Sequence, residues 1–220
     1  MDQTMKATVG RPRGRPKTAP DDTRRKRITA MARNLFLERG YEGTSMGDVA
    51  SAARVSFSTI YRLFPGKADL FAAVVSLHRH SMVALPGDYD DLPIEDALMR
   101  IFRVDIDTDA ERERRAVMNM FIAESRRVPE LEPILTRQGP AETHALLSAW
   151  LERQQACGRI DIADSAIAAR MLMDVAFGAP VLKDGWGHQW PGDADRSHYL
   201  RHCFSMLAAG LRPRGATPGA

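Results

Sequence analysis

Apolar residues recur at intervals of three and four along most of this chain, the period of an α-helix with one buried face. The first run carries Ile28, Met31, Ala32, Leu35 and Phe36 on one stripe. Asp21 or Asp22 can cap its start, where a carboxylate also suits the helix dipole, and Gly40 ends it. Ser45 is the next capping residue, with Asp48 at the reciprocal capping-box position and Met46, Val49 and Ala53 as the apolar face. Arg54-Val55-Ser56 makes a tight break. Ser56 then caps a third helix with Ile60, Leu63 and Phe64 inside, and Pro65-Gly66 stops it. A fourth helix, from about Lys67 to Met82, presents Leu70, Phe71, Val74, Val75 and Leu77.

Beyond Pro86-Gly87 the same period predicts helices near 94–105, 111–127, 130–138, 140–157, 164–181 and 195–211. An acidic helix-ending turn at 105–109, Pro129, Gly139-Pro140, Gly158 and a Gly/Trp/Pro-rich stretch at 185–192 separate them. No alternating run is long enough for a sheet, so the expected fold class is all-α. Two short helices joined by a tight turn and packed on a longer one make a helix-turn-helix unit over 21–82, whose second short helix enters a DNA major groove. Residues 83–212 then form a larger helical domain. The segments 1–20 and 213–220 lack apolar periodicity and are expected to be disordered.

Charge divides the chain in the same place. The 220 residues carry a net charge of only +3. Residues 1–82 hold 15 basic and 7 acidic residues, a net +8, whereas 83–220 hold 16 and 21, a net −5. Residues 1–27 alone reach +6. A basic arm on a mildly acidic body is the footprint of a polyanion partner, with a solvated tail as the alternative. Two cysteines exclude a disulfide scaffold, and Cys157 and Cys203 are expected to be reduced thiols. No apolar run approaches the roughly 18 residues of a membrane span, and no secretory signal follows the basic start. A cytoplasmic protein without a membrane partner is expected.

The residues themselves narrow the reading. Ala32-Arg33-Asn34-Leu35-Phe36, Gly40-Tyr41-Glu42-Gly43-Thr44-Ser45 and Asp48-Val49-Ala50 resemble the first half of a TetR-family DNA-binding domain. Val55-Ser56-Phe57-Ser58-Thr59-Ile60-Tyr61-Arg62-Leu63-Phe64, with Gly66-Lys67 and Asp69-Leu70-Phe71, resembles its second half. The match runs from about Asp21 to Leu77 without a gap. Ser58 stands where the family often has Gly, and Phe57 where a polar residue is commoner. Phe121-Ile122-Ala123-Glu124-Ser125, Pro129-Glu130-Leu131, Gly139-Pro140-Ala141 and Gly158-Arg159-Ile160 are similar, more loosely, to the AefR-like branch.

This resemblance implies a DNA-binding regulator, in most relatives a repressor, that acts as a homodimer on a pseudo-palindromic operator and is released by a small-molecule effector. Thr44 and Ser45, at a helix N-terminus, and Lys67 are the expected phosphate contacts, joined by the Tyr61 hydroxyl. Ser56, Ser58, Thr59 and Arg62 are candidates for base edges or neighbouring phosphates, and Phe57 for a thymine methyl. Packing within the unit is the alternative for Tyr61 and Phe57. In the arm, Arg13-Gly14-Arg15 followed by Pro16 looks like an AT-hook core, with glycine allowing the backbone deep into a narrow minor groove.

In the body, Ile167, Met171, Val175 and Gly178 on one helix and Leu200, Phe204, Leu207 and Leu211 on another are candidates for a four-helix dimer interface or for intramolecular core. Met118, Phe121, Trp150, Met171 and Phe177 are candidates for an adaptable effector pocket, the alternative being a Met-filled core. Asn119 and Glu124 are polar groups that could face such a pocket, and Glu124 can instead pair with Arg127 or Arg170.

Other signals are weaker. Gly43-Thr44-Ser45-Met46-Gly47 matches a hydrolase G-x-S-x-G pattern but lacks the preceding strand. Asp105-Ile106-Asp107-Thr108-Asp109 begins like a calcium loop without its later glycine and glutamate. His198 and His202 lie at i, i+4 beside Cys203 without an evident third metal ligand. Neither a metal nor a cofactor is expected. The competing class is an all-α enzyme or small-molecule carrier without DNA function.

Overall fold

The computed structural model describes residues 21–178 and 196–213, and among them only helices and turns occur. The arm with Arg13, Gly14 and Arg15, the stretch at 185–192 and the tail beyond Pro213 lie outside the described residues.

Helix α1 (Asp21–Arg39) buries Ile28, Ala32, Leu35 and Phe36, the stripe its period predicts. Gly40 follows with φ +74°, a left-handed turn that glycine adopts without steric cost. The two short helices are α2 (Met46–Ala52) and α3 (Phe57–Leu63). Ser45 and Asp48 form the full capping box on α2, and the Ser56 hydroxyl accepts from the Thr59 N–H at 3.2 Å to cap α3. Between them Arg54 turns left-handed at φ 50° and lets the Val55 N–H reach the Ala50 carbonyl at 3.0 Å. Helix α4 (Lys67–Met82) lays Leu70, Phe71, Val74 and Val75 across α1. Leu77, expected on that face, is exposed because the inner position beside it is taken by His78.

The body continues with α5 (Ile94–Ile101), α6 (Thr108–Arg127), α7 (Glu132–Thr136), α8 (Glu142–Ala156), α9 (Ser165–Met173) and α10 (Arg196–Gly210). Two expectations change here. The acidic stretch at 105–109 starts a helix rather than ending one, since the Asp107 carboxylate accepts from the Ala110 N–H at 2.7 Å and caps α6. Gly139-Pro140 does not break the chain either. Residues Arg137–Ala141 form one wide π-turn between α7 and α8, a helical register in which the missing proline N–H is accommodated.

Among the described residues two apolar clusters form the core. The first unites α1–α4 with Val117, Met120 and Phe121 of α6 and with Leu131. Phe121 sits edge-on to Phe71 at 5.4 Å, so α6 completes the core of the helix-turn-helix unit. The second gathers Leu98, Ile101 and Phe102 with Leu147, Trp150 and Leu151 of α8, Leu172 of α9 and Leu200 and Phe204 of α10. Gly158, at φ +69°, turns the chain after α8 so that Arg159 can clamp the loop before α5. Its guanidinium donates to the Asp90 and Leu92 carbonyls and, at 2.6 Å, to the Gln154 side chain.

Candidate nucleic-acid interface

The exposed side of α3 is built by its own cap. The Ser56 hydroxyl lies 3.0 Å from that of Ser58 and 2.9 Å from that of Thr59, so three hydroxyls crowd the start of the helix. Phe57 is 61% exposed and Tyr61, one turn on, is 48% exposed. Their rings run nearly parallel at 6.3 Å. The Phe57 ring also leans on α2: a side chain at Gly47 would come within 3.0 Å of its Cζ. Two large aromatic faces in water on a seven-residue helix are costly unless a partner covers them.

Arg62, at the end of α3, is held by the first residue of α1. Its Nη1 and Nη2 donate to the two Asp21 carboxylate oxygens at 2.7 and 2.8 Å. This fork holds the Asp21 carboxyl below the usual carboxylate range. Sequence reasoning placed Asp21 only as a helix cap. Its pairing with a residue 41 positions away carries no local signal.

The α2 side separates two expected phosphate contacts. Ser45 is exposed at the helix N-terminus, its hydroxyl donating to Asp48 at 2.5 Å; these bonds lower the Asp48 carboxyl. Thr44 is 1% exposed, and its hydroxyl donates to the Gly40 carbonyl at 2.9 Å and the Leu35 carbonyl at 3.2 Å. It closes the α1–α2 turn and presents no side chain to a phosphate. Lys67 is likewise engaged: its ammonium donates to the Tyr41 carbonyl at 2.9 Å and the Thr44 carbonyl at 3.1 Å. It also lies 4.2 Å from the Tyr41 ring centre. Both residues brace the reading unit because carbonyls left at the α1 C-terminus need donors. Burial, with Glu130 nearby, raises the Tyr41 hydroxyl.

In the body the pocket candidates are divided between the two clusters. Phe121 is in the first, whereas Trp150 is in the second, against which Phe177 also packs, 5.7 Å from the Phe102 ring. Met118 and Met171 face outward at 36% and 52% exposure. Asn119 is exposed, and Glu124 is buried beside Gly40, with Arg127 at 4.0 Å. Of the interface candidates, Leu200 and Phe204 are wholly inside the second cluster, where the intramolecular alternative holds. Ile167 and Met171 are exposed, and Val175, Gly178, Leu207 and Leu211 are half-buried. Met206 on α10, which the sequence pattern did not single out, is 77% exposed. Ser45 of the G-x-S-x-G pattern is a cap. Among the described residues no three His, Cys, Asp or Glu groups gather as a metal site, and no helix is long and apolar enough to cross a membrane.

Comparison with known proteins agrees with this geometry. Residues 28–74 match the bacterial regulatory protein model of the tetR family, and residues 96–210 match the C-terminal domain of AefR-like transcriptional repressors. An uncharacterized HTH-type transcriptional regulator of Mycobacterium tuberculosis is 29% identical over 150 residues, 68% of this chain and 71% of its own. The solved structure of the flavonoid-responsive regulator FrrA is 27% identical, with a TM-score of 0.59 over 88% of this chain and all of FrrA. Salmonella enterica GusR is 26% identical, with a TM-score of 0.57 over 90% of this chain and 98% of its own. With a helix-turn-helix unit at its head and an AefR-like helical body behind it, this chain belongs to the TetR family and is a DNA-binding transcriptional regulator, not an enzyme.

Proposed function

We propose that this regulator works in the cytoplasm as a homodimeric repressor that binds a pseudo-palindromic operator and leaves it when a small molecule binds the body. The exposed face of α3 carries the reading: three hydroxyls and Arg62 offer polar contacts while Phe57 and Tyr61 offer apolar ones. Ser56, Ser58, Thr59 and Arg62 meet base edges or adjoining phosphates, and Phe57 packs on a thymine methyl. Tyr61 and Ser45 hold the phosphate backbone, Thr44 contributes its position at the α2 N-terminus, and Lys67 contributes charge behind it. Arg13, Gly14 and Arg15 extend the contact into the adjacent minor groove.

Dimerisation is supported by the apolar side chains Ile167 and Met171 on α9 and Met206 on α10, which the single chain leaves exposed. A monomer presents one reading helix, whereas a two-fold pair presents two at a spacing DNA can match. Response to a small molecule is supported by the similarity to FrrA, a flavonoid-responsive regulator, and repression by the match to the C-terminal domain of AefR-like repressors.

Selection of bound genomic fragments with the full-length protein, read by sequencing, tests the proposal. A two-fold symmetric motif retained at low salt and lost at high salt is expected. Retention without any common motif would overturn sequence-specific regulation. Deleting residues 1–20 should weaken binding and flatten its salt dependence, and an unchanged slope would remove the arm from the interface.

A further inference from the structure

The Phe57 ring has a fixed place on the reading face, set from two sides. Ile60 and Leu63 fill the inner side of α3, so the ring is left on the outer side. There it lies against Gly47 of α2. A Cβ added to Gly47 would stand 3.0 Å from Phe57 Cζ and 3.8 Å from its Cε1, so no side chain fits between them. Tyr61 flanks the ring within α3, inclined by only 22° to it. The glycine backbone is itself held. The Ser45 N–H donates to the Asp48 carboxylate at 2.8 Å, and the Asp48 N–H donates to the Ser45 hydroxyl at 3.1 Å, which fixes the first turn of α2 around residue 47.

Gly47 sits inside α2 without the left-handed backbone that Gly40 and Gly158 adopt. Its conformation therefore does not call for glycine, and alanine is the better helix former there. What calls for glycine is the room taken by the Phe57 ring. Even so, Phe57 stays 61% exposed. A ring without donors or acceptors cannot read the hydrogen-bonding edge of a base. The one apolar group that the major groove offers it is the methyl on C5 of thymine. 5-Methylcytosine carries the same group on the same carbon, whereas uracil and cytosine lack it. A ring already held in place loses little freedom when it meets that methyl.

We propose that Gly47 positions Phe57 as a reader of the pyrimidine C5-methyl group, so that this regulator separates thymine from uracil, and 5-methylcytosine from cytosine, at one position of each operator half-site. This rests on the operator-binding reading above. It adds a specificity-determining residue on α2 and makes binding sensitive to cytosine methylation.

The test uses the full chain and the operator obtained by the selection above, with affinities read by fluorescence anisotropy at one salt concentration. Each thymine is replaced in turn by deoxyuridine, which removes the methyl group and nothing else. At one position of a half-site the wild type should lose about fourfold in affinity, the worth of one buried methyl group. At that position 5-methylcytosine should bind more tightly than cytosine by a similar factor. Phe57→Ala should bind both members of each pair equally, because the ring is gone. Gly47→Leu should do the same, because leucine takes the ring's place and turns it away. Tyr61→Phe keeps the ring and should keep the factor. Thermal midpoints show whether each variant folds, and Gly47→Ala, which displaces the ring less, should reduce the factor even where Gly47→Leu unfolds. No thymine sensitive to the exchange, or a factor that survives in Phe57→Ala, overturns the methyl reading. A factor unchanged in both glycine variants overturns the role of Gly47. Wild-type binding to the operator is intact in all of these outcomes, whereas a selection that yields no operator sinks the regulator reading itself.

Discussion

His78→Phe should flatten the acid side of the stability profile. The imidazole is buried on α4, edge-on to Phe121 at 5.4 Å, and its Nε2 has no hydrogen-bond partner. Burial first, then the positive charges of Arg114 and Arg33, push its pKa from 6.5 down to about 4. The folded protein therefore keeps His78 neutral where the unfolded chain protonates it. Its contribution to stability is fully present above about pH 6.5, is lost as the pH falls from there towards 4, and stays flat below. The full span is worth about 3 kcal/mol, and about 2 kcal/mol of it falls between pH 7 and pH 5. Phenylalanine keeps the ring contact and cannot titrate. Urea unfolding followed by circular dichroism, at one protein concentration and at pH 7, 6 and 5, measures both proteins. Between pH 7 and pH 5 the wild type should lose about 2 kcal/mol more than the variant. Equal losses, or a folded-state His78 resonance titrating near its ordinary value, would refute the reasoning.

Other perturbations test separate contacts. Asp21→Asn should release Arg62 from its fork; operator affinity should rise and the salt slope steepen by about one phosphate contact in fluorescence anisotropy. Phe121→Ala should destabilise by about 3–5 kcal/mol in chemical unfolding, because it empties the junction of Phe71, His78 and α6. Lys67→Met should cost about 1–3 kcal/mol by leaving the Tyr41 and Thr44 carbonyls without their donor, and a variant as stable as the wild type would show that water replaces it. Ile167→Glu combined with Met171→Glu should shift the protein towards monomer in sedimentation velocity while helicity is kept.

The helix-turn-helix unit was legible because its signals are local. Ser45 with Asp48, Ser56 with Thr59, and the stripe from Ile28 to Phe36 each act within one or two turns, and the structure uses them as read. The exposure of Phe57 on a seven-residue helix was also foreseeable, since the inner positions are already filled by Ile60 and Leu63. What the sequence did not reveal is that the Thr44 and Lys67 side chains are already engaged within the unit. Their partners are main-chain carbonyls that become neighbours only when α1 ends and the chain turns back.

The sequence by itself determined which segments are helical, where most of them are capped, and that a basic head is joined to an acidic body. Those properties depend on residue spacing and on charges that add along the chain. Tertiary structure alone decided which long-range partner each helix face meets. It placed Phe121 under the reading unit rather than in a body pocket, Leu200 and Phe204 inside rather than at an interface, and Asp21 on Arg62. An apolar stripe demands burial but does not name what covers it, and a charge demands a partner without saying how far along the chain that partner lies.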